Sequence, residues 1–152
     1  PRGTGAGIRD WRRPFQYLEP GRARILSQGK DMALLSLGAA GIMGAAAVAK
    51  AVEKGISVQH YDMRFLKPID EKVLEHVSRN FSKVITLEDG CLIGGLHSTV
   101  STYMARHNEA ISKVTGLGIP DRYVQHGKAK QLYHECGYDT ESILQSIIAL
   151  AG

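Results

Sequence analysis

Residues 62–70 read Asp62-Met63-Arg64-Phe65-Leu66-Lys67-Pro68-Ile69-Asp70, and they are predicted to connect a strand to a helix. The five residues before it alternate between polar and apolar side chains, which predicts a β-strand. Pro68 disfavours helical geometry at the residue before it, so the stretch is predicted to stay extended as far as Lys67. The Asp70 carboxylate can then accept a hydrogen bond from a free amide at the start of a helix over residues 71–79. Loops of this kind join strand to helix in open α/β sheets, and they carry much of the chemistry of such folds.

Strand and helix patterns alternate on both sides of this loop. Short apolar runs predict strands at residues 23–26, 32–37, 57–62, 83–87 and 113–117. Helical periodicity predicts helices at residues 41–54, 71–79, 96–106, 128–136 and from residue 140 onward. This alternation is typical of a parallel sheet with right-handed crossovers. A tight turn between the first two strands predicts an antiparallel hairpin. The predicted fold is a three-layer α/β/α sandwich around a five-stranded, mostly parallel sheet with one antiparallel edge strand.

The first predicted helix, residues 41–54, has one apolar stripe that we expect to face the sheet. Its members recur at helical spacing, and the small ones would allow a close approach of helix to sheet; they are Ile42, Ala45 or Ala46, Ala49 and Val52.

The first 22 residues are predicted to be a linker from a preceding domain, and residues 23–152 to be the domain itself. The segment has glycines, Pro14 and Pro20, and no sustained periodicity. Three aromatic residues, Trp11, Phe15 and Tyr17, alternate with polar ones there, and we expect them to hold the linker against another part of the protein.

The composition excludes several classes of protein. Apolar residues make up 43 % of the chain and charged residues 22 %, which is ordinary for a globular domain. No apolar run is long enough to span a bilayer, and no secretory signal is visible. The two cysteines, Cys91 and Cys136, give no disulfide framework, which predicts reduced thiols and a cytoplasmic location. The net charge of +4 comes largely from cations near the start. No recognition motif for nucleic acid follows them, so we expect neither a nucleic-acid nor a membrane partner.

Two acidic residues, Glu88 and Asp89, come at the carboxyl end of a predicted strand. Paired carboxylates in that place could perform acid–base chemistry. Alternatively, they could form an ionic network with Arg64, Lys67 and Asp70 of the neighbouring loop, and we favour such a structural or interface cluster. No histidine or cysteine spacing is typical of a metal site, so we expect no metal ligands in this chain.

A glycine pair, Gly94-Gly95, precedes the third predicted helix. Free amides at a helix start could bind an anion. The pair could equally serve a tight loop with close backbone packing, which we favour.

Several short motifs occur in a consistent order along nearly the whole chain. They are Pro1-Arg2-Gly3, Asp62-Met63-Arg64-Phe65 with Lys67-Pro68 and Asp70, Glu88-Asp89 with Gly94-Gly95, and Gly118-Ile119-Pro120-Asp121 with His126-Gly127. Together they resemble the last domain of the transketolase-like, thiamine diphosphate-dependent enzymes, and within these the 1-deoxy-D-xylulose-5-phosphate synthase family. The resemblance implies the same three-layer α/β/α fold.

The resemblance also implies a parent enzyme, a transferase that condenses pyruvate with glyceraldehyde 3-phosphate and releases carbon dioxide. Thiamine diphosphate and Mg²⁺ would be bound by upstream domains, and the parent would be a homodimer serving isoprenoid and thiamine synthesis. We expect the chain to be a piece of that enzyme, inactive alone, which makes domain and dimer contacts. The resemblance implies no catalytic residue in this chain. It implies one substrate contact, Arg2, which would bind the phosphate of the aldehyde.

Two alternatives stay open. The chain could be the C-terminal domain of a transketolase, or of the beta subunit of a 2-oxoacid dehydrogenase. It could also be a stand-alone interaction module with no catalytic partner domain. The Pro1-Arg2-Gly3 start and residues 118–127 favour the synthase family.

Overall fold

The computed structural model describes residues 14–107 and 113–152. These residues form five strands and five helices. In chain order the elements are β1 (Arg24–Ser27), β2 (Met32–Leu37), α1 (Ala40–Glu53), β3 (Val58–Asp62), α2 (Glu71–Asn80), β4 (Lys83–Cys91), α3 (Leu96–His107), β5 (Lys113–Ile119), α4 (Ala129–Glu135) and α5 (Thr140–Ala151). Among them, no helix has the length and apolar character needed to cross a membrane.

The strands form one sheet in the order β1-β3-β2-β4-β5. The β2–β3, β2–β4 and β4–β5 pairs are parallel, and β1 pairs with β3 in the antiparallel direction at the edge. The prediction of a five-stranded, mostly parallel sheet with one antiparallel edge strand is confirmed.

The predicted hairpin between the first two strands is wrong, because β3 lies between β1 and β2. The turn that joins β1 to β2 passes over the start of β3. There the Asp31 amide donates to the Ser57 carbonyl at 2.9 Å, and the Ser57 amide donates to the Asp31 carboxylate at 2.7 Å. A Cβ atom at Gly29 would overlap the backbone of Val58, so only glycine permits this crossing. Pairing follows burial: β2 is buried along five residues and takes a central place, whereas β1 is largely exposed and takes the edge.

Alternate residues of β2 enter two separate apolar clusters, one on each face of the sheet. Leu34 packs in the cluster beneath α1 and α5, and Leu35 packs in the cluster beneath α2 and α3. Both side chains are fully buried. Burial of a leucine contributes about 1.5–3 kcal/mol, so each face of the sheet has its own substantial core. The two layers of helices and the sheet make the predicted sandwich.

The apolar stripe predicted for the first helix does not face the sheet. Instead α1 buries Ala40, Gly44, Ala47, Val48 and Ala51, and it leaves Ile42 and Val52 63 % and 60 % exposed. A Cβ atom at Gly44 would lie 2.8 Å from Leu87 Cδ2. The helix therefore packs Gly44 and one set of its alanines against the sheet, and the predicted stripe becomes an outward apolar face.

Candidate functional site at the carboxyl edge of the sheet

The loop after β3 is held in place by the neighbouring strand. The Met63 amide donates to the Ser36 carbonyl at 2.8 Å, and the Met63 side chain is fully buried. Arg64 then adopts a φ of 58°, a left-handed conformation that is uncommon for a residue with a side chain. Its amide donates to Asp62 Oδ1 at 3.1 Å, which supports that turn. Asp62 Oδ2 in turn accepts from the Arg24 guanidinium at 3.0 Å, tying the loop to the edge strand.

Asp70 fulfils the predicted capping role and has a second one. Its Oδ1 accepts from the Val73 amide at 3.3 Å, as an N-cap of α2. Its Oδ2 accepts from the Ala23 amide at 2.9 Å, just before β1 begins. The side chain is only 6 % exposed. One carboxylate therefore fixes both the start of α2 and the path of the chain into the edge strand.

Glu88 accepts hydrogen bonds from amides at the start of α3, as Asp70 does at the start of α2, but it lies farther from its helix in the sequence. Its two oxygens accept from the Leu96 and His97 amides, each at 2.9 Å, and the side chain is 4 % exposed. A Cβ atom at Gly95 would overlap the Glu88 carboxylate, and one at Gly118 would lie 3.1 Å from Glu88 Cγ. The glycines thus leave room for Glu88. The amides that could have bound an external anion are occupied by a carboxylate of the same chain.

Asp89 points away from Glu88 and contacts the turn between α4 and α5. Its Oδ1 accepts from the Tyr138 hydroxyl at 2.8 Å. Burial and this hydrogen bond raise the pKa of Tyr138, so the phenol stays protonated and remains a donor. Two adjacent acidic residues therefore have different partners, and they do not form a carboxylate pair for acid–base catalysis.

The five residues predicted as an ionic cluster are not joined in one network. Within the part of the chain that the structure describes, no salt bridge links Arg64 or Lys67 to Asp70, Glu88 or Asp89. The three carboxylates bind backbone amides and a tyrosine instead. A contact of Arg64 and Lys67 with another domain stays a prediction. Arg2, the predicted phosphate contact, and Trp11 lie outside the described residues.

A buried polar pair, Ser36 and His60, was not predicted from the sequence. The Ser36 hydroxyl lies 2.8 Å from His60 Nε2 and donates to the Tyr61 carbonyl at 3.2 Å. Both side chains are at most 1 % exposed, and His60 Nδ1 has no partner among the described residues. Burial lowers the pKa of His60 from 6.5 to about 4, although the charge of Asp62 opposes that shift. Ser36, a polar residue in the otherwise apolar strand β2, was the available indication, whereas the mixed sequence of β3 does not single out His60. Because no substrate can reach Ser36, the pair is structural.

The described residues do not fit a diphosphate and its magnesium ion. Among residues 14–107 and 113–152, no group of three histidine, cysteine or acidic side chains could hold a metal ion. The amides at the start of α3, which could have bound an anion, donate to Glu88.

Comparisons with known proteins agree with the fold and the motifs. The family model for the transketolase C-terminal domain matches residues 21–143. The 1-deoxy-D-xylulose-5-phosphate synthase of Cytophaga hutchinsonii is 45 % identical over 152 residues, which is 100 % of this chain and 24 % of that enzyme. The synthase of Phocaeicola vulgatus is 44 % identical over 98 % of this chain and 23 % of its own length. The chain thus spans about a quarter of the curated relatives it matches.

A solved structure has the same fold. A chain described as split gene transketolase, in an inactive beta4 tetramer, superimposes with a TM-score of 0.80 and 27 % identity. The match covers 88 % of this chain and 43 % of that one. Since the family model covers most of the sequence and the fold agrees, the chain belongs to the transketolase C-terminal domain family.

Proposed function

We propose that this chain is the C-terminal domain of a 1-deoxy-D-xylulose-5-phosphate synthase. The observation that carries the proposal is the 45 % identity over all 152 residues to the last quarter of such an enzyme. The proposed parent condenses pyruvate with glyceraldehyde 3-phosphate in the cytoplasm and releases carbon dioxide. It does so with thiamine diphosphate and Mg²⁺ held by upstream domains, and its product serves isoprenoid and thiamine synthesis.

The domain itself has a structural role in this proposal. The carboxylates at the carboxyl edge of the sheet are used to fix helices: Asp70 fixes α2, and Glu88 fixes α3. Each oxygen of these two carboxylates accepts from a backbone amide of the chain, so they support rigid edge loops rather than proton transfer. Arg2 is proposed to contribute the single substrate contact, because a guanidinium can bind phosphate through two hydrogen bonds.

The outward apolar face of α1, formed by Ile42, Ala45, Ala46, Ala49 and Val52, is proposed as a contact surface with a second copy of the chain. Ile42 and Val52 mark its two ends and are both more than half exposed. The split gene transketolase relative assembles as a beta4 tetramer, which supports self-association in this family of domains. The three alanines between the ends would let a partner helix approach closely.

A domain exchange tests the proposed parent activity. This chain replaces the matching last quarter of the Phocaeicola vulgatus synthase, and the chimera is assayed for 1-deoxy-D-xylulose 5-phosphate formation. We expect the chimera to keep activity, while the relative without its last domain, the control, loses it. A folded chimera with no activity above that control would contradict the proposal.

The fold likeness to split gene transketolase supports a second candidate, the C-terminal domain of a transketolase. Its 27 % identity is well below the 45 % found with the Cytophaga hutchinsonii synthase. The same exchange into a transketolase separates the two candidates. We expect activity to be restored only in the synthase background, and restoration only in transketolase would reverse the assignment.

A further inference from the structure

A cavity of about 530 Å³ lies beyond the carboxyl end of β5, between the loop of residues 120–128 and helix α4. Its volume falls within the range of about 300–1,000 Å³ that is usual for small-molecule sites. Ligands of open α/β sheets bind outside the carboxyl ends of the strands, and this cavity occupies such a place. Asp70 and Glu88, whose carboxylates fix the helix starts, do not line this cavity.

The walls of the cavity are mainly apolar and aromatic. Ile119, Leu132 and Cys136 form part of them, together with the rings of Tyr133 and Tyr138. These two rings are tilted by 47° with centroids 5.1 Å apart, so they present two differently oriented aromatic surfaces. A flat ring is the ligand shape that such walls contact over the largest area.

The charged groups that line the cavity indicate which hydrogen-bonding group a ligand would carry. Asp89 lines the cavity, and only its Oδ1 is occupied, by the Tyr138 hydroxyl at 2.8 Å. No donor within residues 14–107 and 113–152 reaches its Oδ2. Arg122 also lines the cavity, but its guanidinium pairs with Glu135 at 3.2 Å, so its charge is offset. One carboxylate oxygen therefore remains to accept a hydrogen bond from a ligand.

We infer that this cavity binds a planar aromatic heterocycle that carries an exocyclic amino group, such as the base of an adenine or cytosine nucleoside. The ring lies against the tyrosines, and the amino group donates to Asp89 Oδ2. Tyr138 holds Asp89 in position by donating to its other oxygen. A ring without the amino group, such as that of purine riboside, offers no donor at this position and is disfavoured.

Calorimetric titration of the 152-residue chain with adenosine and with purine riboside tests the inference. The two nucleosides differ only at position 6 of the base, which carries an amino group in one and hydrogen in the other. We expect adenosine to bind at least tenfold more tightly than purine riboside. Absence of saturable adenosine binding, or equal affinity for both, would overturn the inference. The test does not depend on the proposed parent enzyme, since it needs neither the upstream domains nor their activity.

Substitution of Asp89 gives a sharper result. In Asp89→Asn the amide oxygen can still accept from Tyr138, while the amide nitrogen becomes a donor toward the cavity. We expect the preference for adenosine over purine riboside to be lost, because a donor then faces the amino group. An unchanged preference for adenosine would show that Asp89 does not contact the base.

A second pair of variants locates the site even if Asp89→Asn fails to fold. Ala129 is exposed and lines the cavity, so Ala129→Trp should fill it without disturbing the core. Ala105 is an exposed alanine on α3, in the other helical layer, and Ala105→Trp is the matched control. We expect adenosine binding to be lost in the first variant and kept in the second. Full binding by Ala129→Trp would place the nucleoside elsewhere and overturn the inference.

Discussion

At the scale of single residues, one buried carboxylate replaces the external anion that a glycine-rich helix start could have bound. Glu88 accepts from two backbone amides in a site with little access to water. Hydrogen bonds to a charged group contribute more than neutral ones, and a buried group left without a partner is costly. We therefore expect Glu88 to contribute to the free energy of folding and not to catalysis.

The first prediction concerns Glu88→Gln. The glutamine amide nitrogen would face a backbone N–H, so one hydrogen bond is lost and the other loses its charge. We expect the free energy of unfolding to fall by about 2 kcal/mol, as measured by urea denaturation. Glu141→Gln is the matched control, because Glu141 lies at the exposed start of α5, and it should leave the urea midpoint nearly unchanged. Equal midpoints for the two variants would contradict the role assigned to Glu88.

The second prediction concerns pH and His60. Its pKa is about 4 in the folded chain against 6.5 ordinarily, so between these values only the unfolded chain binds the proton. Stability from this group is therefore fully present above pH 6.5 and is lost as the pH falls toward 4. Each pH unit in that window contributes about 1.4 kcal/mol, for a total loss of about 3 kcal/mol.

Urea denaturation at several pH values measures the slope for His60. The variant His60→Gln, which can still donate to Ser36, isolates this histidine from other groups that titrate in acid. We expect the loss of stability between pH 6.5 and 4 to shrink by about 3 kcal/mol in the variant. Parallel curves for the two proteins would mean that His60 is protonated alike in the folded and unfolded states.

At the scale of secondary-structure elements, Asp70 joins two elements that are far apart in sequence. It caps α2 through the Val73 amide and holds the start of β1 through the Ala23 amide. The third prediction is that Asp70→Ala lowers the free energy of unfolding by about 2 kcal/mol, more than the ~1 kcal/mol of an ordinary cap. Thermal and urea unfolding measure it.

Two matched variants separate the contributions at Asp70. Asp70→Asn keeps an acceptor for the Val73 amide but places a donor near the Ala23 amide, so an intermediate loss is expected. Asp139→Ala removes the cap of α5, where the carboxylate accepts from the Ser142 amide at 2.8 Å. Because His134 Nδ1 also lies 2.8 Å from this carboxylate, the variant is compared in a His134→Ala background. If Asp70→Ala cost no more than Asp139→Ala, the contact with Ala23 would contribute nothing.

Local patterns predicted the elements well, and non-local contacts account for what they missed. The Asp70 cap follows from Pro68 and the helical period after it, and the structure has that cap. The pairing of β1 was missed because strand neighbours depend on how much of each strand is buried, which a tight turn does not reveal. The face of α1 was misassigned because alanines lie on both sides of this helix, and only close packing at Gly44 decides between them. The partners of Glu88 are eight and nine residues away and no periodicity indicates them.

At the scale of the whole molecule, the described residues form an apolar core on each face of the sheet, and these two cores stabilise the domain. Two apolar clusters include fully buried side chains from every layer. Phe15 and Tyr17, which were expected to hold a linker against another part of the protein, are 106 % and 86 % exposed here. A partner for these two rings in a larger protein stays a prediction.

The fourth prediction is that the isolated chain neither binds thiamine diphosphate nor forms 1-deoxy-D-xylulose 5-phosphate. The described residues present no metal-binding group, and Glu88 already occupies the amides at the start of α3. Calorimetric titration with thiamine diphosphate and Mg²⁺ should give no saturable heat. Binding in the micromolar range would show that this chain takes part in holding the cofactor.

The last prediction is weak self-association through the outward face of α1. Ile42 and Val52 stay exposed although neighbouring positions of the same helix are buried, so this face has apolar area available for a partner. The weight-average sedimentation coefficient of the chain should rise with concentration. Ala46→Glu places a charge at the centre of the face, and removing a charge from water is costly, so this variant should stay monomeric. Ala105→Glu, an exposed position on α3 in the other layer, should associate as the unmodified chain does. A chain that is monomeric at every concentration, or equal association by both variants, would remove α1 from the proposed interface.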